Sequence, residues 1–212
     1  MVFYFTATGN SLYAAKQMDE NRISIAQAIH DNKKIYTADR IGIVCPIFGH
    51  EMPQLVKEFL RVSRFETDYF YILLTYGSRH GGAAELAKEY VESLGIHPAY
   101  INVILMADNF LPGFDMEEER LLDKKVEEQI SRIQADIAER KTCISPVTKE
   151  DRNVHRAFLA YITQTGSEAV HDLYEITNEC VGSGICAKVC PKKCFHLEGQ
   201  KSVWSSEGCI SC

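Results

Sequence analysis

Three observations predict an α/β fold built on a doubly wound, five-stranded parallel sheet of order 2-1-3-4-5. Apolar runs of strand length alternate with amphipathic helical patterns through roughly the first two thirds of the 212 residues, which marks a parallel sheet with helices on both faces. The chain opens on such a run, Val2, Phe3, Tyr4 and Phe5, then passes through a short polar loop into a helical pattern at Leu12. The cysteines crowd only after the alternation has ended: of eight in all, Cys180, Cys186, Cys190, Cys194, Cys209 and Cys212 fall in the last segment.

The first helix is expected over 12–18, and further strands at 22–28, 41–46, 69–75 and 99–106. Helical patterns separate the later strands, near 53–62 and 82–94. The connection from His30 to Arg40 is polar and has no clear apolar stripe, so the crossover helix expected there is short or absent. Leu121, Leu122, Val126, Ile130, Ile133 and Ile137 recur at helical spacing among charged residues and predict one long surface helix that closes the domain near Arg140. The reading gives a first domain over 1–142, a linker over 143–172 with a short helix near 153–162, and a small C-terminal segment over 173–212.

The formal charge of −6 argues against nucleic acid, which selects basic faces. No apolar stretch approaches the ~20 residues that span a bilayer, and with a strand at its start the chain is expected to carry no secretory leader. The expectation is a cytoplasmic protein with no membrane partner. In a reducing compartment, a cysteine cluster reads as metal binding rather than as a disulfide framework.

The loop after the first strand reads Thr6, Ala7, Thr8, Gly9, Asn10, Ser11. A strand that ends in such a loop and passes into a helix N-terminus aims backbone N–H groups and the positive end of the helix dipole at one point, which suits a phosphate. The loop has no Lys or Arg and lacks the G-K-[ST] ending of a nucleotide-triphosphate loop. The simpler reading is a Ser/Thr helix cap without a ligand, but a cap needs one hydroxyl where this loop has three. The pattern T-x-T-G-N-S after a first strand resembles the FMN phosphate loop of the flavodoxins.

That resemblance extends over 1–142 and implies FMN as cofactor. The ring would then lie along the strand ends, served by two further loops. Pro46, Ile47, Phe48 and Gly49 offer an aromatic for stacking and a flexible peptide. Thr75, Tyr76, Gly77, Gly81 and Gly82 offer another aromatic and glycines suited to backbone contacts at the pyrimidine edge. Arg79, if it points toward that edge, would favour an anionic reduced flavin and is otherwise a solvated surface arginine, and His50 and His80 flank the crevice. The three spaced glycines of the dinucleotide fingerprint are missing after the first strand, so NAD is not expected there.

The run from Cys180 through Cys186 to Cys190-Pro191 resembles the bacterial ferredoxin pattern C-x₂-C-x₂-C-x₃-C-P, with Ser183 at the second ligand position. A hydroxyl binds iron less readily than a thiolate, so one or two [4Fe-4S] clusters would be incomplete or absent. The ferredoxin scheme sorts Cys180 and Cys186 to one cluster and Cys190, Cys209 and Cys212 to the other, and reads the segment as truncated. Cys194 does not match and reads as a small buried residue. The rival is a zinc tetrahedron of Cys186, Cys190, Cys209 and Cys212.

Taken together, the chain resembles the family in which a flavodoxin-like domain is fused to a two-cluster ferredoxin domain. That implies an electron-transfer flavoprotein moving electrons between iron-sulfur clusters and FMN, with a small redox carrier protein or a small-molecule acceptor as partner. Two alternatives remain: an FMN-dependent reductase of a small acceptor such as a quinone, and a zinc-stabilised interaction module that binds no flavin. Whether the chain is an enzyme is left open by its sequence.

Overall fold

The structure is a computed structural model that describes residues 1–32, 34–110, 113–165 and 174–210. Strand β1 (Val2–Tyr4) leads through the polar loop into α1 (Asn10–Met18), followed by β2 (Arg22–Ser24), α2 (Ile25–Ala28) and β3 (Ile35–Thr37). Next come β4 (Arg40–Pro46), α3 (Gln54–Val62), β5 (Arg64–Glu66), β6 (Tyr69–Tyr76), α4 (Ala83–Ser93) and β7 (Tyr100–Leu105). The remaining elements are α5 (Met116–Glu119), α6 (Val126–Ala138), β8 (Cys143–Ile144), α7 (Lys149–Thr165), α8 (Ile185–Val189), β9 (Phe195–Glu198) and β10 (Lys201–Trp204).

Six strands form one parallel sheet in the order β2-β1-β4-β6-β7-β8. Counted along the sheet's own strands this is the 2-1-3-4-5 order of the flavodoxin-like doubly wound fold, extended by one edge strand. The added strand is β8, where Cys143 N–H donates to Ala99 O at 2.9 Å and Ser145 N–H to Ile101 O at 2.8 Å. Both central strands are buried almost throughout, as a sheet covered on both faces requires.

Successive residues of β1 face opposite layers. Val2 joins Ala14 and Ala15 of α1, Tyr71, Tyr100 and Ile104, and Ile130, Ile133 and Ile137 of α6. Phe3 faces an aromatic cluster, with Phe59 of α3 at 5.1 Å and Tyr36 of β3 at 4.6 Å between ring centroids. Within the sheet Gly42 pairs with Tyr71, and a Cβ at 42 would lie 2.2 Å from the Tyr71 ring. The ring therefore occupies the space that a side chain would need.

The structure departs from the sequence expectations at several elements. The predicted strand 22–28 stops at Ser24, and Ile25 and Ala28 turn their buried side chains inward from the short helix α2. The polar connection then forms β3, which pairs with β5 in parallel and stacks Tyr36 on Phe65 at 6.0 Å, so a strand pair covers the aromatic cluster there. The long helix predicted from Leu121 begins only at Val126. Asp115 caps the separate short helix α5, Lys125 takes a positive φ of 51°, and Leu121 and Leu122 are left exposed. Helix α7 is longer than the predicted 153–162. Thr148 and Asp151 form a capping box ahead of it, with Thr148 N–H donating to Asp151 Oδ2 at 2.9 Å and Asp151 N–H to Thr148 Oγ1 at 3.1 Å.

The chain divides into two compact units, Met1–Phe158 and Leu159–Cys212. In the second, β9 and β10 form an antiparallel hairpin whose Phe195 and Trp204 pack on Tyr174. Among the described residues no helix is long and apolar enough to cross a membrane.

Candidate functional site

Four loops meet at the carboxyl edge of the sheet, tied together by hydrogen bonds. Strands β1 and β4 run side by side but send their following helices to opposite faces, so a crevice opens between their ends. Residues 6–11 follow β1 at this edge, and Pro46 with residues 47–52 ends and follows β4. Ile47 N–H donates to Thr75 O at 2.9 Å, which joins the loop after β4 to β6, and Met106 N–H donates to Tyr76 O at 2.8 Å, which joins the loop after β7.

The side chains of the first loop are divided between structure and opening. The Thr6 hydroxyl accepts the Gly9 N–H at 3.1 Å, which shapes the turn. Ser11 is buried and shares a 2.8 Å hydrogen bond with Thr75, pinning the start of α1 to β6. Asn10 donates from Nδ2 to Ala107 O at 2.9 Å. Helix α1 has no side-chain cap: its N-cap residue is Gly9, at φ 112°, with nothing within 4 Å of where a Cβ would stand. The first N–H groups of a helix have no carbonyl behind them, so Asn10, Ser11 and Leu12 present donors at an open, positively polarised end. The cap-only explanation of the hydroxyls is thus not the arrangement found. Ala7 and Thr8 complete the rim.

The second loop is a tight turn. Phe48 and Glu51 exchange backbone hydrogen bonds of 2.9 and 3.0 Å around Gly49 and His50, both at positive φ. Pro46 ends β4, and the half-buried Phe48 ring meets Phe5 edge to face at 6.2 Å. Gly49 leaves room for Phe158, which would lie 3.0 Å from a Cβ at that position. In the third loop Tyr76 is half-buried beside His80, with ring centroids 5.3 Å apart. Burial, with Asp151 nearby, raises the Tyr76 phenol, which stays protonated. A Cβ at Gly77 would fall 2.4 Å from the Asp108 backbone, and one at Gly81 2.2 Å from the His50 ring, so both glycines are required by close approach. Gly82 caps α4 at φ 86°.

Two groups escaped the sequence reading. Lys124 donates to Gly77 O at 2.8 Å and to Glu119 Oε2 at 2.6 Å, and Glu119 also accepts the Asp108 N–H at 2.7 Å. This nearly buried pair clamps the loops after β6 and β7, and the Lys124 ammonium, with the Asp108 amide, holds the Glu119 carboxyl below its usual range. Glu119 ends the short helix α5 and Lys124 lies in the stretch read as the start of a long surface helix, so no local pattern pairs the two. The second group lies around α7: Asp151 faces His80 at 3.6 Å, Arg152 grips Glu85 with two hydrogen bonds of 2.7 and 3.0 Å, and His155 and Phe158 pack on His50.

The cysteines of the second unit gather in two sets. Cys186 Sγ lies 2.9 Å from Ser202 Oγ, and backbone N–H groups of Ser202 and Gly182 lower the Cys180 thiol, so both turn toward one strand residue. Cys194 N–H donates to Cys190 Sγ at 3.2 Å, and burial, with Cys190 and Cys209 as neighbours, pushes the Cys194 thiol up to about 11. Cys194 is buried beside the proposed ligands, as expected. Cys212 lies outside the described residues. Among those described, no three Cys, His, Asp or Glu side chains are arranged to hold a metal ion, so neither the iron-sulfur nor the zinc expectation gains support.

No protein-family model and no curated protein matches the chain. Several solved structures align with it, two of them as follows. A candidate flavoprotein from Bacteroides uniformis is 19% identical over 51% of this chain and 90% of its own, with a TM-score of 0.40. The Trp repressor binding protein of Bacillus subtilis is 10% identical over 67% of this chain and 98% of its own, with a TM-score of 0.42. The strand order of the sheet, rather than these distant likenesses, carries the assignment of fold.

Proposed function

We propose that this protein binds FMN at the carboxyl edge of its sheet and works as an electron-transfer flavoprotein of the cytoplasm. The uncapped N-terminus of α1 carries the reading: an open glycine, free amides and a hydroxyl rim stand at the switch point where doubly wound sheets hold their ligands. The donor set suits a dianionic monophosphate, since amides and the helix dipole stabilise charge without a lysine.

In this reading Ala7, Thr8, Asn10 and Ser11 hold the phosphate through their backbone N–H groups, with the Thr8 hydroxyl beside them. Phe48 and Tyr76 flank the ring, and the peptides of Gly49 and Gly77 face its polar edge. Bound FMN supplies transfer of electrons singly or in pairs. The chain's part is to orient the ring, exclude water from one face and set the hydrogen bonding of its edge. The Lys124–Glu119 clamp holds the Gly77 peptide in place for that role.

The partner would be a small redox carrier protein or a small-molecule acceptor. Direct reduction of a small acceptor is the second reading, favoured by the proton-carrying side chains of His50, His80 and Tyr76 on the crevice wall. The C-terminal cysteines take no part in the proposal.

The test is a visible spectrum of the protein purified without oxygen, combined with quenching of FMN fluorescence on titration. Flavin bands near ~450 nm and saturable quenching are expected, since the cofactor carries the colour. Gly9→Asp should abolish retention by setting a carboxylate against the phosphate. A colourless protein that leaves added FMN fluorescent, or a Gly9→Asp variant as yellow as the parent, would overturn the assignment.

A further inference from the structure

The wall of the crevice beside the loop after β4 gathers His50, Arg79 and His155, which can carry positive charge and, among the described residues, form no ion pair. His50 sits in the left-handed region at φ 70°, and its ring fills the space above Gly81. The His155 ring of α7 lies 5.7 Å away, and Phe158 closes one side at 4.9 Å. Nδ1 of His50 and Nδ1 of His155 are both buried and, among the described residues, neither has a hydrogen-bond partner. Orphaned buried nitrogens on two facing rings are rare in a folded protein, and they call for an unseen acceptor or donor.

The acids around this group are all engaged elsewhere. Glu51 pairs with Lys57, Glu85 holds Arg152, and Asp151 accepts from Thr148 while facing His80. Arg79 is exposed, acts electrostatically on His50, and has no ion-pair partner among the described residues.

We propose that His50, Arg79 and His155 form an oxyanion-binding site that takes the carboxylate or phosphate group of a small acceptor molecule. Its place beside a flavin rests on the function proposed above, whereas the site itself does not. The guanidinium presents a fork of donors matched to two oxygens, and each imidazole adds one. The two nitrogens are sealed while the rings face each other, so binding requires one ring to turn out of that contact, a rotamer change. A bound anion would offset the mutual repulsion of His155, His80 and Arg79 on His50 and favour its protonated form. The site would therefore select anionic acceptors over neutral quinones.

The test uses the full chain and sulfate as probe. Imidazole Cε1–H resonances are followed by NMR against pH in sodium sulfate and in sodium chloride of equal ionic strength. Sulfate should raise the apparent pKa of His50 in a saturable way that chloride does not reproduce. Arg79→Gln, at an exposed position, should weaken sulfate binding about tenfold, the order of one charge-assisted hydrogen bond. His155→Gln should remove the saturable response at His50. A His50 titration identical in the two salts overturns the inference, and so does sulfate binding that Arg79→Gln leaves unchanged, the mark of an adventitious ion only. FMN quenching, measured in parallel, keeps the two proposals separate: sulfate binding without flavin binding fails the flavin reading alone, and the converse fails this one alone.

Discussion

At the scale of single residues, the site is decided by a few close approaches and two polar anchors. Burial, then His155, His80 and Arg79, hold the His50 imidazole below its ordinary range. A group whose folded pKa is depressed binds fewer protons in the folded state than in the unfolded one, so stability rises with pH through the window below about 6.5. Urea denaturation should therefore show falling stability as pH drops from 7.5 toward 5, with His50→Gln reducing that slope. A slope unchanged in the variant would mean that other groups set it. Lys124 is the second anchor, because its ammonium is shared between Gly77 O and Glu119. Lys124→Ala should release the loop after β6 and weaken FMN binding on the order of tenfold, what one charge-assisted hydrogen bond is worth, read by fluorescence quenching. Equal affinity in the variant would remove the clamp from the site.

At the scale of elements, α7 contributes most that the sequence did not announce. Its capping box of Thr148 and Asp151 starts the helix early enough to place Asp151, Arg152, His155 and Phe158 in turn over His80, Glu85, His50 and Gly49. Thr148→Ala should cost about 1 kcal/mol in urea denaturation, as loss of a helix cap does, and it should also perturb the His50 resonance. Loss of stability without any change at His50 would separate the helix from the crevice. The β3–β5 pair makes the complementary point. Its residues alternate too briefly to read as strands, yet Tyr36 and Phe65 cover the aromatic cluster that a crossover helix would otherwise cover.

At the scale of the whole molecule, the six-stranded sheet and the four loops at its edge lie within the unit Met1–Phe158. A chain ending after α7, at Thr165, should accordingly fold cooperatively and quench FMN fluorescence with the affinity of the full chain. Loss of either property would show that residues beyond α7 complete the site. The sheet order and the strands at 41–46, 69–75 and 99–106 were legible because buried parallel strands read as unbroken apolar runs, and the loop over 6–11 because a polar stretch between strand and helix is a local pattern. The division of Thr6, Ser11 and Asn10 between turn, core and neighbouring loop was not legible, nor were the Lys124–Glu119 clamp or the meeting of His50 with His155. Amino-acid order by itself determined the long buried strands and the polar loop that opens the first helix, since burial period and helix polarity are properties of neighbours along the chain. The tertiary structure alone decided which hydroxyls stay open and which charged groups face each other, because those contacts join residues as far apart as Asn10 and Ala107, and only packing sets such distances.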